Sequence, residues 1–274
     1  MWQVAVLILS LSSLVYGAPQ VPCYFIFGDS LYDNGNNNAL ITKAKANYPP
    51  YGIDFPTGPV GRFTNGRNTA DILAKLLGFE TYIPPFANAS GRAILKGVNY
   101  ASGATGIRDE TGQHLTLYNS KARKVAVFGI GAVGCTPAMI TMYGTNGSLC
   151  VDFINNAVQL FNAKLVSLVD DFNNNLRDAK FIYINSYQIA LTPTPTPTTG
   201  LRITNVPCCN ATNMISFQCI PNRIPCPNRN NYAFWDAVHP TEAADVATTR
   251  RAYTALLPQD TRPSDIRTLA ASKL

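Results

Sequence analysis

Three short runs of the chain are apolar at nearly every position: Tyr24–Phe27, Lys124–Phe128 and Phe181–Ile184. They are rich in β-branched and aromatic side chains, and the first two run directly into Gly28 and Gly129. Continuous apolar runs of this length, bounded by turn residues, predict strands buried on both faces. Val98–Asn99–Tyr100 reads as a fourth, weaker strand. Between the runs the period lengthens. Asn68 is a candidate N-cap for a helix over 69–77, with Asp71 at its third position and Gly78 as its stop. Ile154, Ala157, Val158, Phe161, Leu165, Leu168 and Phe172 recur at three- and four-residue steps and predict the apolar face of a long helix. Thr241–Leu257 reads as another helix, with Glu242 at its start and Arg250 and Arg251 toward its end, the sign order a helix dipole favours. Strands alternating with helices predict an α/β fold: a three-layer αβα sandwich around a mostly parallel central sheet. Thr192–Thr199 alternates Thr and Pro and predicts an extended polyproline-type surface loop.

Composition narrows the class. The chain has 274 residues, 46% hydrophobic and only 14% charged, which excludes a disordered protein. The net charge of +6 is spread out; its densest clusters are Lys121–Lys124 and Arg250–Arg251. Without a basic patch in sequence, no nucleic-acid partner is expected. Val4–Leu14 is an apolar run too short to span a bilayer, and Val15 and Gly17 suit the −3 and −1 positions of a cleavage site. Residues 1–17 therefore read as a signal peptide and 18–274 as a single secreted domain with no stable membrane span. Export agrees with three glycosylation triplets at Asn88, Asn146 and Asn210. It also agrees with seven cysteines, of which the last six can form three bridges. Cys135–Cys150 is the simplest local pair; the pairing among Cys208, Cys209, Cys219 and Cys226 is open. Zinc is the competing reading of that cluster, but the paired short spacings of a structural zinc site are missing. Cys23 is left over, and a buried thiol on a strand is expected there.

The chain has two histidines, so a histidine mechanism must choose between them. His114 sits in a polar stretch that reads as an exposed loop. His239 follows Asp236 by three residues at a helix entry, a spacing that lets the carboxylate hold the imidazole Nδ1–H. Gly28–Asp29–Ser30 closes the first predicted strand, which puts Ser30 at the carboxyl edge where ligands bind in open α/β sheets. A helix starting there would aim free N–H groups at a developing oxyanion. No Gly-x-Ser-x-Gly elbow occurs, which disfavours the usual α/β-hydrolase arrangement.

Several longer stretches carry a family resemblance. They are Gly28–Asn38, Gly61–Arg67, Gly97–Gly103, Phe128–Pro137, Phe181–Asn185, the Cys208–Cys209 pair and Phe234–Glu242. With them the chain resembles the plant-type GDSL esterase/lipases of the SGNH hydrolase superfamily, from about Val21 to its C-terminus. The resemblance implies a flavodoxin-like SGNH sandwich and a serine hydrolase that cleaves carboxylic esters. It implies Ser30 as nucleophile, His239 as general base and acid, and Asp236 as the carboxylate that orients it. It further implies an oxyanion hole from the N–H groups of Ser30 and Gly103 plus an Asn side chain from a third block. No metal or organic cofactor is implied; the partner is an ester or lipid substrate.

That third block, a strand ending in Gly-x-Asn-Asp, has no counterpart. It should lie between Gly103 and Lys124, and the sequence passes straight from Gly112–Asn119 into Lys121–Val125. By the family's topology the strand lost with it belongs between Tyr24–Phe27 and Lys124–Phe128. One absent oxyanion donor costs about 10² to 10³ in rate. Unpaired buried backbone groups cost roughly 1–3 kcal/mol each. A destabilised chain with impaired activity is expected; the alternative is an inactive relative that binds lipid or cell-wall material.

Overall fold

The computed structural model describes residues 18–106, 121–192, 201–210 and 217–274. The signal segment, His114 and the Thr/Pro run at 193–199 lie outside the described residues. The helices are α1 (Thr69–Leu76), α2 (Pro137–Tyr143), α3 (Asp152–Asn175), α4 (Ser186–Leu191), α5 (Glu242–Tyr253) and α6 (Ile266–Ala271). The strands are β1 (Lys124–Phe128), β2 (Lys180–Ile184), β3 (Ile203–Pro207), β4 (Tyr232–Phe234) and β5 (Thr261–Arg262).

The chain is mixed α/β, with smaller sheets than the hydrophobic runs predict. β1 and β2 pair in parallel, Val125 opposite Phe181 and Phe128 opposite Ile184. β5 joins β2 antiparallel, and β3 with β4 forms a separate parallel pair. The first apolar run does not become a strand: Ile26 makes one parallel bridge to Asn99, fixed by Ile26 N–H to Val98 O and Tyr100 N–H to Ile26 O. Among the described residues no backbone hydrogen bond joins Tyr24–Gly28 to Lys124–Phe128. A segment paired on one edge only has half the ladder that defines a central strand.

Side chains nevertheless join the two parts on one face. Ile26, Ala126, Phe128, Ile182 and Ile184 share a core with α1, α5 and α6. Each fully buried aliphatic side chain there contributes about 1.5–3 kcal/mol. On the other face α3 covers β1 and β2, with Leu165, Val169 and Phe172 against Val125, Phe181 and Tyr183. Phe25 and Phe27 alternate with Ile26, so they point away from the shared core. They are 44% and 39% exposed; Phe27 stacks on Tyr100 with ring centroids 5.2 Å apart, and Tyr100 touches Phe86.

Local signals explain the helices. α1 starts at a full capping box: Asn68 accepts from Asp71 N–H, and Asp71 accepts from Asn68 N–H. α3 forms where its period predicts, but its buried face is rotated. Asn155 and Asn162 are buried while Ala157 and Leu168 are exposed. The two amides serve backbone groups of the loop after β1: Asn155 accepts from Gly134 N–H, and Asn162 bonds both N–H and C=O of Ile130. α5 ends at Tyr253, four residues before the predicted Leu257. Disulfides join Cys135–Cys150, Cys208–Cys226 and Cys209–Cys219, which displaces the zinc reading. Cys23 is free, half-buried and outside any strand, contrary to expectation.

Candidate active site

No helix opens at Ser30. Residues 29–33 form one tight turn, with Tyr32 and Asp33 N–H donating to Asp29 O and Leu31 N–H donating to Asp29 Oδ1. The turn is clamped by the polar run behind it. Asn34 donates to Ile83 O, Asn36 to Asn99 O and Ala101 O, and Asn37 to Gly103 O. Ser102 donates its hydroxyl to Asn37 Oδ1 at 2.6 Å. Asn36 and Asn37 thereby satisfy carbonyls of the irregular 99–103 segment, and the next amide, Asn38, donates to Val60 O.

His239 sits on a second loop, between β4 and α5. Trp235 N–H donates to His239 O, and Thr241 N–H to Ala233 O, closing the loop back on itself. Asp236 anchors its centre: Oδ1 accepts from Val238 N–H at 2.9 Å and from His239 N–H at 2.8 Å. α5 then begins on Thr241 as N-cap. Its first residue, Glu242, is gripped by Arg67, whose backbone N–H and Nε each donate at 2.7 Å, and its own N–H donates to Asn65 Oδ1. A Cβ on Gly66 would overlap Glu242 Oε2, so the approach needs glycine there.

The structure brings together three side chains the sequence singles out. His239 Nε2 lies 2.8 Å from Ser30 Oγ, across 209 residues of chain. His239 Nδ1 lies 2.7 and 2.9 Å from the two oxygens of Asp236. With Nδ1–H donating to the carboxylate, Nε2 is left to accept the Ser30 O–H. Asp236 is fully buried and His239 nearly so, and the Phe63 ring packs 5.0 Å from the imidazole. A shallow cleft is lined by Ser30, Leu31, Phe63, Asn68, His239 and Asp245.

The fourth expected group is placed differently. Gly103 lies against Phe63, but its N–H donates to Asp33 Oδ2 at 2.9 Å. Asp33 is fully buried and also accepts from Gly35 and Asn36 N–H. Burial holds its carboxyl above the usual range, and those backbone donors offset only part of the rise. Ser30 N–H has no hydrogen-bond partner among the described residues.

Two residues near the site carry no local sequence signal. Tyr51 is fully buried and donates its phenol to Asp236 Oδ2 at 2.6 Å. Asp245, on α5, faces the cleft; burial pushes its carboxyl well above the usual range, and its oxygen accepts from Thr69 Oγ1. Nothing in a Tyr48-Pro-Pro-Tyr51 loop or in one acid on a helix separates them from packing residues; only the tertiary contacts do. No group of three or more metal-ligating side chains occurs among the described residues.

A family model described as GDSL-like lipase/acylhydrolase matches residues 24–120 and 107–251, two pieces that overlap at 107–120. Several Arabidopsis thaliana proteins, each called a GDSL esterase/lipase, are similar over most of their length. One is 40% identical over 337 residues, covering 92% of this chain and 93% of the relative. Another is 43% identical over 335 residues, covering 92% of each chain. A third is 39% identical over 342 residues, covering 94% of this chain and 95% of the relative. In the first pairing, 337 aligned positions against 92% of 274 residues leave roughly 85 positions of the relative without a counterpart here.

Proposed function

Because the chain belongs to the GDSL-like lipase/acylhydrolase family, we propose that it is a secreted carboxylic ester hydrolase working through an acyl-serine on Ser30. The observation that carries this reading is the 2.8 Å contact between Ser30 Oγ and His239 Nε2. In the proposed course His239 takes the Ser30 proton as Oγ attacks the ester carbonyl. It then passes that proton to the departing alcohol, leaving the acyl group on Ser30. Water attacks the acyl carbon, gives its proton to His239, and the acid leaves as Ser30 is reprotonated. Asp236 stabilises the transient imidazolium.

The cleft beside Ser30 is shallow and encloses no cavity, against the roughly 300–1,000 Å³ typical of ligand pockets. In this reading the acyl chain lies over exposed surface such as Leu31. The finer fold reading, a three-layer sandwich short of one central strand, is part of the same proposal. It is supported by helices on both faces of β1–β2, by the unpaired edge of Tyr24–Gly28, and by the roughly 85 unmatched positions together with the overlap at 107–120. Secretion of residues 18–274 as one domain after a 1–17 signal is supported by three disulfides and by the exposure of Asn88, Asn146 and Asn210. No helix among the described residues is long and apolar enough to cross a membrane.

Activity is reduced in this reading. The third-block Asn has no counterpart, and Gly103 N–H is engaged by Asp33. Ser30 N–H is then the expected oxyanion donor that remains free, and each missing donor costs about 10² to 10³ in rate. The same engagement favours the second reading, a lipid- or wall-binding relative without turnover. Hydrolysis of short and long acyl esters by the secreted form, beside Ser30→Ala, decides between them. Ser30-dependent turnover supports the esterase; equal rates for the two proteins reject it.

A further inference from the structure

We propose that Tyr51 is a positioning residue for the Asp236–His239 pair, its phenol O–H locking the carboxylate in the plane that receives the imidazole. The inference rests on the esterase reading for its meaning, but its geometry stands alone. A fully buried carboxylate needs hydrogen-bond donors on both of its oxygens. Oδ1 of Asp236 has the two backbone N–H groups of its own loop. Oδ2 has Tyr51 at 2.6 Å besides the imidazole at 2.7 Å. Without the phenol, Oδ2 would keep the imidazole alone, and nothing on that side would oppose rotation of the carboxylate.

The phenol is itself held in direction. Cys219 N–H donates to Tyr51 Oη at 3.2 Å, so the oxygen accepts from the backbone and must turn its own proton to Asp236. Cys219 is bonded to Cys209, whose N–H donates to the carbonyl of Trp235, the residue before Asp236. The ring is packed edge-on against Tyr48 at 5.3 Å and Phe63 at 6.1 Å, and Phe63 also backs the imidazole. One cluster therefore fixes both the carboxylate and the ring it orients. Burial and the adjacent Asp236 charge raise the phenol well above its ordinary range, so it stays a donor throughout the working pH.

Tyr183 supplies the control. It is a buried tyrosine on β2, packed under α3 and outside the cluster that holds Asp236. Two quantities are compared in Tyr51→Phe and Tyr183→Phe: kcat and KM on a p-nitrophenyl ester, and the low-field proton resonance of His239 Nδ1–H in the resting protein, assigned in a His114→Gln background. Tyr51→Phe is expected to lower kcat about ten- to a hundredfold at constant KM, the loss of one hydrogen bond to a charged group. It is also expected to shift or broaden the resonance. Tyr183→Phe should change kcat less than about threefold and leave the resonance in place. Equal effects of the two variants, or an unmoved resonance in Tyr51→Phe, overturn the proposal. Should Tyr51→Phe not fold, 3-fluorotyrosine at position 51 keeps the shape and strengthens the donor. A moved resonance then supports the role, and an unmoved one defeats it. The resonance needs no substrate, so a Ser30→Ala protein as active as wild type would sink the esterase reading while leaving this test decisive.

Discussion

Exchange of Asp236 for Asn isolates the carboxylate's charge from its shape. Asp236 is fully buried and takes four donors: Val238 N–H, His239 N–H, Tyr51 O–H and His239 Nδ1–H. Asn can keep the two backbone bonds on its own Oδ1. Its amide nitrogen then replaces Oδ2 and faces Nδ1 as a donor, so the ring proton moves to Nε2, toward Ser30 Oγ. An imidazole in that tautomer cannot accept the Ser30 proton, and the imidazolium loses its counter-charge. The same exchange in another hydroxyl–imidazole–carboxylate set costs about 10⁴ in rate, and at 1.36 kcal/mol per decade that is about 5.4 kcal/mol. A fluorophosphonate reads nucleophile activation without waiting for deacylation, so the assay is its second-order labelling rate beside wild type and Ser30→Ala, with melting curves to verify folding. Asp236→Asn that melts like wild type and labels within tenfold of it would refute the reasoning.

Three further outcomes are expected. Arg62→Met strands Asp71, which is 1% exposed and held by Arg62 through bonds of 2.6 and 2.7 Å; urea unfolding should show a loss of about 3–5 kcal/mol, and a change under about 1 kcal/mol would contradict it. Asp245 carries a carboxyl raised by burial and by the nearby Glu242 and Asp71 charges. Folding therefore favours its protonated form, and the stability it contributes is complete below its unfolded value near 3.8 and fades as pH rises toward the folded one. Asp245→Asn should melt like wild type near that pH and progressively higher at neutral pH, whereas a constant offset from pH 3.5 to 8 would argue against a shifted carboxyl. Replacing Cys135 and Cys150 by Ser opens a bridge of sequence separation 15; the loop-entropy estimate for that length is about 3 kcal/mol, read as a lowered urea midpoint, and an unchanged midpoint would show that the bridge adds nothing.

Much of the site was legible because its signals are local or scarce. With two histidines and an Asp three residues ahead of one of them, His239 stood out, and Ser30 closes an apolar run at glycine. The α1 cap is written in Asn68 and Asp71. What depends on partners distant in sequence was not legible. Gly103 N–H is claimed by a carboxylate 70 residues away, and a backbone donor bears no mark of who receives it. Asn155 and Asn162 are buried on α3 because loop backbone needs them, so a count of apolar positions rotates the helix wrongly. Tyr24–Phe27 has strand composition, yet its pairing is the single bridge from Ile26 to Asn99, and a strand needs a ladder of successive pairs with a neighbour that the local sequence does not show. The exchange between Cys208–Cys226 and Cys209–Cys219 could be settled only by which sulfur reaches which.

The packed rings of Phe27, Tyr100 and Phe86, with the exposed Phe25 two residues before Phe27, give the molecule an oily aromatic flank. Bodies of that kind gather at oil–water and air–water boundaries. Dilute stocks should lose protein to vessel walls and bubbles and regain it with a non-ionic detergent. Phe27→Ser should reduce the loss, with little thermal penalty, because the ring is already partly solvated where it stands.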